Sequence, residues 1–158
     1  MELQEFSTFR VAACDLNGLM RGKRLRALDQ AKLANDQIRM PLSALNVDIW
    51  GCDIDDSPLV FESGDADGFL RPTERGPLPM PWLTQKSALV PMWMFSEDGA
   101  PFAGDPRHAL AQVLDRYAKR GWQVMAATEL EFYLVDDSGS SLLPAINPIN
   151  KRRLNASD

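Results

Sequence analysis

The stretch Thr128-Glu129-Leu130-Glu131-Phe132-Tyr133-Leu134 carries the most chemistry in this chain. In a strand, alternation sends Glu129 and Glu131 to one face and Leu130 and Phe132 to the other. Two carboxylates two residues apart in an otherwise apolar strand repel each other and lose hydration. A cation would compensate, most simply a divalent metal with all-oxygen ligands. The alternative is an edge strand whose glutamate face is wet, and on spacing alone that reading is the commoner one.

Other candidates are weaker. The single histidine, His108, falls in the first turn of a predicted helix and off its apolar stripe, which predicts a surface residue. Arg21-Gly22-Lys23-Arg24 could hold a phosphate, but a solvated hairpin accounts for it more simply. Cys14 and Cys52 have neither C-x-x-C spacing nor a histidine pair, and predict reduced, mostly buried thiols. There is no P-loop and no dinucleotide glycine fingerprint, and one histidine makes no convincing Ser-His-Asp set. Trp50, Trp82, Trp93 and Trp122 read as core or loop anchors, and the seven methionines as core filler.

The elements that must position the two glutamates begin at Asp105. Asp105 as N-cap and Pro106 at the first position open a helix. Leu110, Val113, Leu114 and Tyr117 recur at the spacing of one buried face, and Gly121 stops it. Trp122 to Val135 then reads as a strand, and the one-residue connection predicts that the helix packs on that strand's sheet. Beyond Asp136-Asp137-Ser138-Gly139 only loop is expected.

Upstream, Phe9 to Leu16, the turn Asn17-Gly18 and Leu19 to Leu28 predict a hairpin with at least one solvated face. A helix is expected next, capped by Asp29, stapled by Leu28 and Leu33 and ended by Pro41. Residues 48–54, 63–68 and 71–81 read as loops between short strands. Ser87 to Phe95 predicts a strand, with Pro91 placing it at an edge or a bulge. Glu97-Asp98-Gly99 then turns the chain into a short return at Pro101-Phe102.

Length and charge exclude several classes. A chain of 158 residues can bury a core without staples, yet is short for an enzyme with separate nucleotide and substrate sites. The formal net charge is −5, which gives no electrostatic reason to expect nucleic acid or anionic membrane. Residues 41–70 hold seven acidic and no basic side chains, the pattern of a solvated loop. The longest apolar run, Ala88 to Phe95, falls far short of the about 20 residues a membrane span needs. The run Met1 to Glu5 is acidic where a signal peptide is basic, so a cytoplasmic protein is expected.

Four stretches, in order, resemble the glutamine synthetase family, particularly its branch that joins glutamate to amines such as polyamines. They are Asp15-Leu16-Asn17-Gly18-Leu19-Met20-Arg21-Gly22-Lys23 and Gly64-Asp65-Ala66-Asp67-Gly68-Phe69-Leu70-Arg71-Pro72. Gly99-Ala100-Pro101-Phe102-Ala103-Gly104-Asp105-Pro106-Arg107 and Glu129-Leu130-Glu131-Phe132-Tyr133-Leu134 complete the set. The resemblance runs from about Phe9 to Val135.

The resemblance implies an α+β fold: a β-grasp-like N-terminal domain over residues 1–103, then the first helix and strand of a glutamine-synthetase-type catalytic domain, incomplete, over 104–158. It implies a ligase that phosphorylates the γ-carboxylate of glutamate with ATP, after which ammonia or an amine displaces phosphate. It implies Mg2+ or Mn2+, with Glu129 on the metal that bridges the nucleotide phosphates and Glu131 on the metal beside glutamate. Small-molecule substrates and a homo-oligomer with active sites between subunits follow from it too. Ammonia-using members carry Asp-Gly-Ser-Ser in a loop offered to the neighbouring subunit. The corresponding region here is Asp48-Ile49-Trp50-Gly51-Cys52-Asp53, which favours an amine other than ammonia or an unusual nucleotide-free homologue, and gives Asp48 and Asp53 no assigned role. The family's other ligands lie beyond residue 158, so an inactive front portion of a longer ligase is expected. The rival reading is a stand-alone β-grasp binding or assembly module.

Overall fold

The computed structural model describes residues 5–153. The run Met1 to Gln4, which entered the signal-peptide reading, lies outside them. The chain divides into two units that meet between Gln123 and Val124.

The first unit opens with the expected hairpin. Strands β1 (Thr8–Cys14) and β2 (Met20–Arg26) pair antiparallel from Thr8↔Arg26 to Cys14↔Met20. The turn between them needs Gly18, whose φ of 81° is one an L side chain rarely adopts. On β1 the core-facing Phe9, Val11 and Ala13 are fully buried, whereas β2 is largely solvated.

The helix expected from Asp29 to Pro41 does not form. A 3-10 turn covers Ala27–Leu33, and strand β3 (Arg39–Pro41) follows. Asp29 lies inside the turn, where its carboxylate accepts Arg26 Nε at 2.9 Å and Lys32 Nζ at 3.1 Å instead of capping. Leu28 is 88% exposed and only Leu33 of the turn is buried. One buried side chain makes no stripe, and a short helix without a packed stripe is marginal.

A second 3-10 turn (Leu42–Leu45), the one-turn helix α1 (Pro58–Phe61), and strands β4 (Asp67–Pro72), β5 (Leu78–Pro79) and β6 (Ser87–Phe95) complete the sheet. Asp67 and Gly68, expected in a loop, open β4, and Arg71 and Pro72 end it. The strand order is β2-β1-β6-β4-β3, with β5 also on β6. β1 runs parallel to β6 and every other pair is antiparallel.

β6 has the expected bounds but lies in the centre, so the edge placement drawn from Pro91 is corrected. The sheet tolerates this proline because partners change there. The Pro91 carbonyl, and with it the place of the absent N–H, faces the side where β5 pairs with Ala88 and Leu89 and β4 with Met92 to Phe95. The missing N–H falls at that handover, and the Pro91 carbonyl still accepts from Thr73 N at 2.9 Å. Val90, Met92 and Met94 join Phe9, Val11, Leu45 and Leu70 in the core, each fully or almost fully buried. Burying side chains of this size stabilises the fold by about 1.5–3 kcal/mol each.

Helix α2 (Pro106–Ala118) starts as expected, with Asp105 as its cap. It ends as Gly121 predicts: Gly121 N donates to Ala118 O and Trp122 N to Tyr117 O, with φ 72° at Gly121. That is a Schellman ending, and the Tyr117 and Trp122 rings 6.0 Å apart supply its apolar contact. The expected burial of the apolar stripe is not observed. Exposure runs from 41% at Leu114 to 58% at Leu110, because no described element covers that side.

The second unit corrects the strand expected over Trp122 to Val135. Residues 124–134 form neither helix nor strand, and Leu130 and Phe132 are 83% and 73% exposed. A strand needs a paired neighbour and cover for its apolar face, and no described segment supplies either. Val135, the last residue of that expected strand, does pair: Val135–Asp136 (β7) meets Leu143–Pro144 (β8), and Ile146 bridges Arg153, in a region where loop was expected. Among the described residues no helix is long and apolar enough to cross a membrane.

Candidate functional site

Glu129 and Glu131 both lie in the irregular segment of the second unit and are exposed. Neither is among the hydrogen-bonded or ion-paired carboxylates of the described residues. Their oxygens suit a hard divalent cation in kind. They do not suffice in number: the described residues bring no three His, Cys, Asp or Glu side chains together as a metal site. Two carboxylates are a partial ligand set.

Below them in the chain, Asp136 accepts from the Ser138 hydroxyl and N–H and from Arg153 Nη1 at 3.0 Å. These bonds, the Ser138 hydroxyl first, hold its carboxyl down at about 2.

The best-built polar cluster in the first unit is at the β1–β2 turn. Asp15 is 1% exposed. Its Oδ1 accepts Asn17 N at 2.9 Å and Leu19 N at 2.8 Å, and its Oδ2 accepts Arg21 Nε at 2.8 Å. Burial pushes this carboxyl up, but the Arg21 bond, the Leu19 and Asn17 amides and the Arg21 charge together carry it below the ordinary value. Asn17 Nδ2 reaches across to the carbonyls of Val47 and Asp48. Asp48 Oδ1 in turn accepts Trp50 N and Cys52 N, each at 2.8 Å. The role of Asp48 is therefore to close its own loop. Asp53 is exposed.

The basic cluster does not act as a unit. Arg21 turns to Asp15, Arg24 donates to Gln85 Oε1 at 2.7 Å, and Lys23 is exposed. Cys52 is exposed and Cys14 half-buried, which corrects the mostly buried thiols. Of the tryptophans read as core or loop anchors, Trp50, Trp82 and Trp122 are exposed and outside the core, Trp122 against Tyr117. Met40, Met92 and Met94 fill the core as expected, whereas Met125 does not.

His108 is the largest correction. It is buried, its ring stacks on Trp93 at 4.8 Å and meets Phe95 edge-on at 5.0 Å. Its Nε2–H donates to the Met94 carbonyl at 2.8 Å. Being off the helix stripe did not make it a surface residue, because the first turn of α2 packs on β6 through a different side. The signal available in sequence was its place three residues after the cap, the position that folds back towards the preceding segment.

Residues 103–155 match the family described as glutamine synthetase, catalytic domain, and so include both glutamates. Gamma-glutamylputrescine synthetase PuuA of Escherichia coli (strain K12) is 33% identical over 87% of this chain and 30% of its own length. Glutamate–isopropylamine ligase of a Pseudomonas species is 31% identical over 96% of this chain and 34% of its own. This chain therefore spans about a third of the length of these relatives. A solved GmaS/ADP complex superposes with a TM-score of 0.56 at 28% identity, covering 73% of this chain and 24% of that one. A solved glutamine synthase homologue gives a TM-score of 0.62 at 18% identity, over 76% and 28%, and bears on the fold alone.

Proposed function

We propose that this relative of the glutamine synthetase family is the amino-terminal segment of an ATP-dependent ligase that forms a γ-glutamyl amide from glutamate and an amine. The observation that carries the reading is Glu129-Leu130-Glu131 inside the stretch matched to the glutamine synthetase catalytic domain. The amine preference rests on relatives named for putrescine and isopropylamine. The mixed sheet with parallel β1 and β6 at its centre is read as a β-grasp-like domain over residues 1–103, followed by the start of the catalytic domain.

In this reading Glu129 and Glu131 supply carboxylate oxygens to Mg2+ or Mn2+, with further ligands from outside the described residues. Such cations neutralise charge on a transferring phosphoryl group. ATP, glutamate and the amine are the substrates, the site is shared in a homo-oligomer, and the compartment is the cytoplasm. The rival is a non-catalytic β-grasp module, favoured by the missing third ligand among the described residues.

The test is a mass-spectrometric assay for γ-glutamyl amide with glutamate, ATP, Mg2+ and putrescine, isopropylamine or ammonium. It is run on these 158 residues and on the whole product of the reading frame. The whole product is expected to make the amide, and the 158 residues alone none. Amide made by the 158 residues would sink the segment reading, and a frame ending at Asp158 with no activity would favour the module.

A further inference from the structure

The outer face of the sheet in the first unit carries a groove that the ligase reading does not use. Arg10 of β1 and Arg24 of β2 are cross-strand partners, as are Ala12 and Gly22 two residues on. Leu89 of β6 is the neighbour of Arg10 on its other side. Alternation places all five on the face opposite the core residues Phe9, Val11 and Ala13. With Lys23 they line an open cavity of about 370 Å³. That lies within the about 300–1,000 Å³ usual for small-molecule sites.

One feature of this groove is costly unless something fills it. Like charges directly opposite each other destabilise an antiparallel pair, yet Arg10 faces Arg24. Among the described residues Arg10 and Arg24 make no ion pair. Arg24 has only the neutral Gln85 Oε1 as a side-chain partner. The floor is small by necessity as well: a Cβ on Gly22 would stand 1.8 Å from the Val11 carbonyl oxygen. Two arginines on neighbouring strands beside small and apolar residues match an oxyanion that carries an apolar body.

We propose that this groove binds a small organic anion. Its carboxylate or phosphate lies between Arg10 and Arg24, and its apolar portion lies over Ala12 and Gly22 against Leu89. The proposal is independent of the ligase reading, since it uses neither Glu129 nor Glu131.

Isothermal titration of the whole chain tests it. Hexanoate and hexyl phosphate present the two headgroups on one apolar body, acetate and inorganic phosphate present them alone, and hexylamine reverses the charge. Saturable binding with a Kd on the order of 1 mM is expected for hexanoate, hexyl phosphate or both, the tighter identifying the headgroup. Acetate and phosphate should bind at least tenfold more weakly, and hexylamine not at all. The double variant Arg10→Gln, Arg24→Gln should keep its fold by circular dichroism and lose at least tenfold in affinity. Ala12→Leu, which raises the floor, should weaken the hexyl ligands without touching either arginine. Absence of saturable binding, equal binding of headgroup and hexyl ligand, or unchanged binding in the double variant would overturn the proposal. So would self-association of the unliganded chain that the double variant abolishes, since that gives the groove to the acidic segment of a second copy.

Discussion

Asp105 Oδ2 accepts the backbone N–H of Met94 at 2.9 Å, while Oδ1 of the same carboxylate caps α2 through Arg107 N, also at 2.9 Å. One buried side chain thus joins the central strand to the helix that follows it. Asp105→Ala removes a cap, worth about 1 kcal/mol, and orphans a buried N–H, at about 1–3 kcal/mol. Urea unfolding should therefore show a loss of about 2–4 kcal/mol. A loss below about 0.5 kcal/mol would mean that the strand and helix are held together by other contacts.

The Asp15–Arg21 pair should make stability depend on acid. The folded carboxyl lies below its ordinary value. Its contribution is therefore fully present above the unfolded value of about 3.9 and lost as pH falls through the lower folded one. Arg21→Gln removes the bond and the charge that lower it. The stability gap between the native chain and this variant should be widest near neutrality and should narrow below about pH 4. Urea midpoints that stay equally far apart from pH 6 to pH 2 would refute this.

Gly22→Ala places a methyl group against the Val11 carbonyl oxygen, 1.8 Å from where its Cβ would stand. The obstacle is backbone, which cannot swing aside as a side chain does. Forcing the strands apart should cost about 3 kcal/mol or more. Thermal unfolding with the native midpoint would show that β1 and β2 separate freely.

Glu129→Gln and Glu131→Gln should each leave stability within about 0.5 kcal/mol of the native chain, because both side chains are exposed. In the whole ligase proposed above, each should lower turnover by about a hundredfold or more if it holds a metal beside the phosphoryl group. Near-native turnover in either variant contradicts that role.

Local chemistry was the legible part of this sequence. Asn17-Gly18, the Asp105-Pro106 cap and the Gly121 stop each act within a few residues, and each appears where it was expected. β6 was legible because nine nearly all apolar residues between turn signals have few other uses. What depends on a distant partner was not legible. Pro91 in a central strand depends on β5 giving way to β4 on the side its backbone faces. His108 is buried only because Trp93 and Phe95 lie under the first turn of α2. The same dependence explains residues 122–134, whose apolar composition reads as a strand but finds no ladder among the described residues. The candidate ligands were visible as residue types, and their assembly was not.

The Met94 carbonyl accepts from both Phe102 N and His108 Nε2, while its N–H goes to Asp105. With both backbone groups of one strand residue committed to the chain after it, the start of α2 cannot pivot freely. The bare flank formed by Leu110, Val113, Leu114 and Tyr117 is thus presented at a fixed angle before anything meets it. Ordering entropy for that helix is lost when the chain folds, not when the flank is covered. A surface that docks there would encounter a stiff template, and its fit would be decided by shape rather than by mutual adjustment.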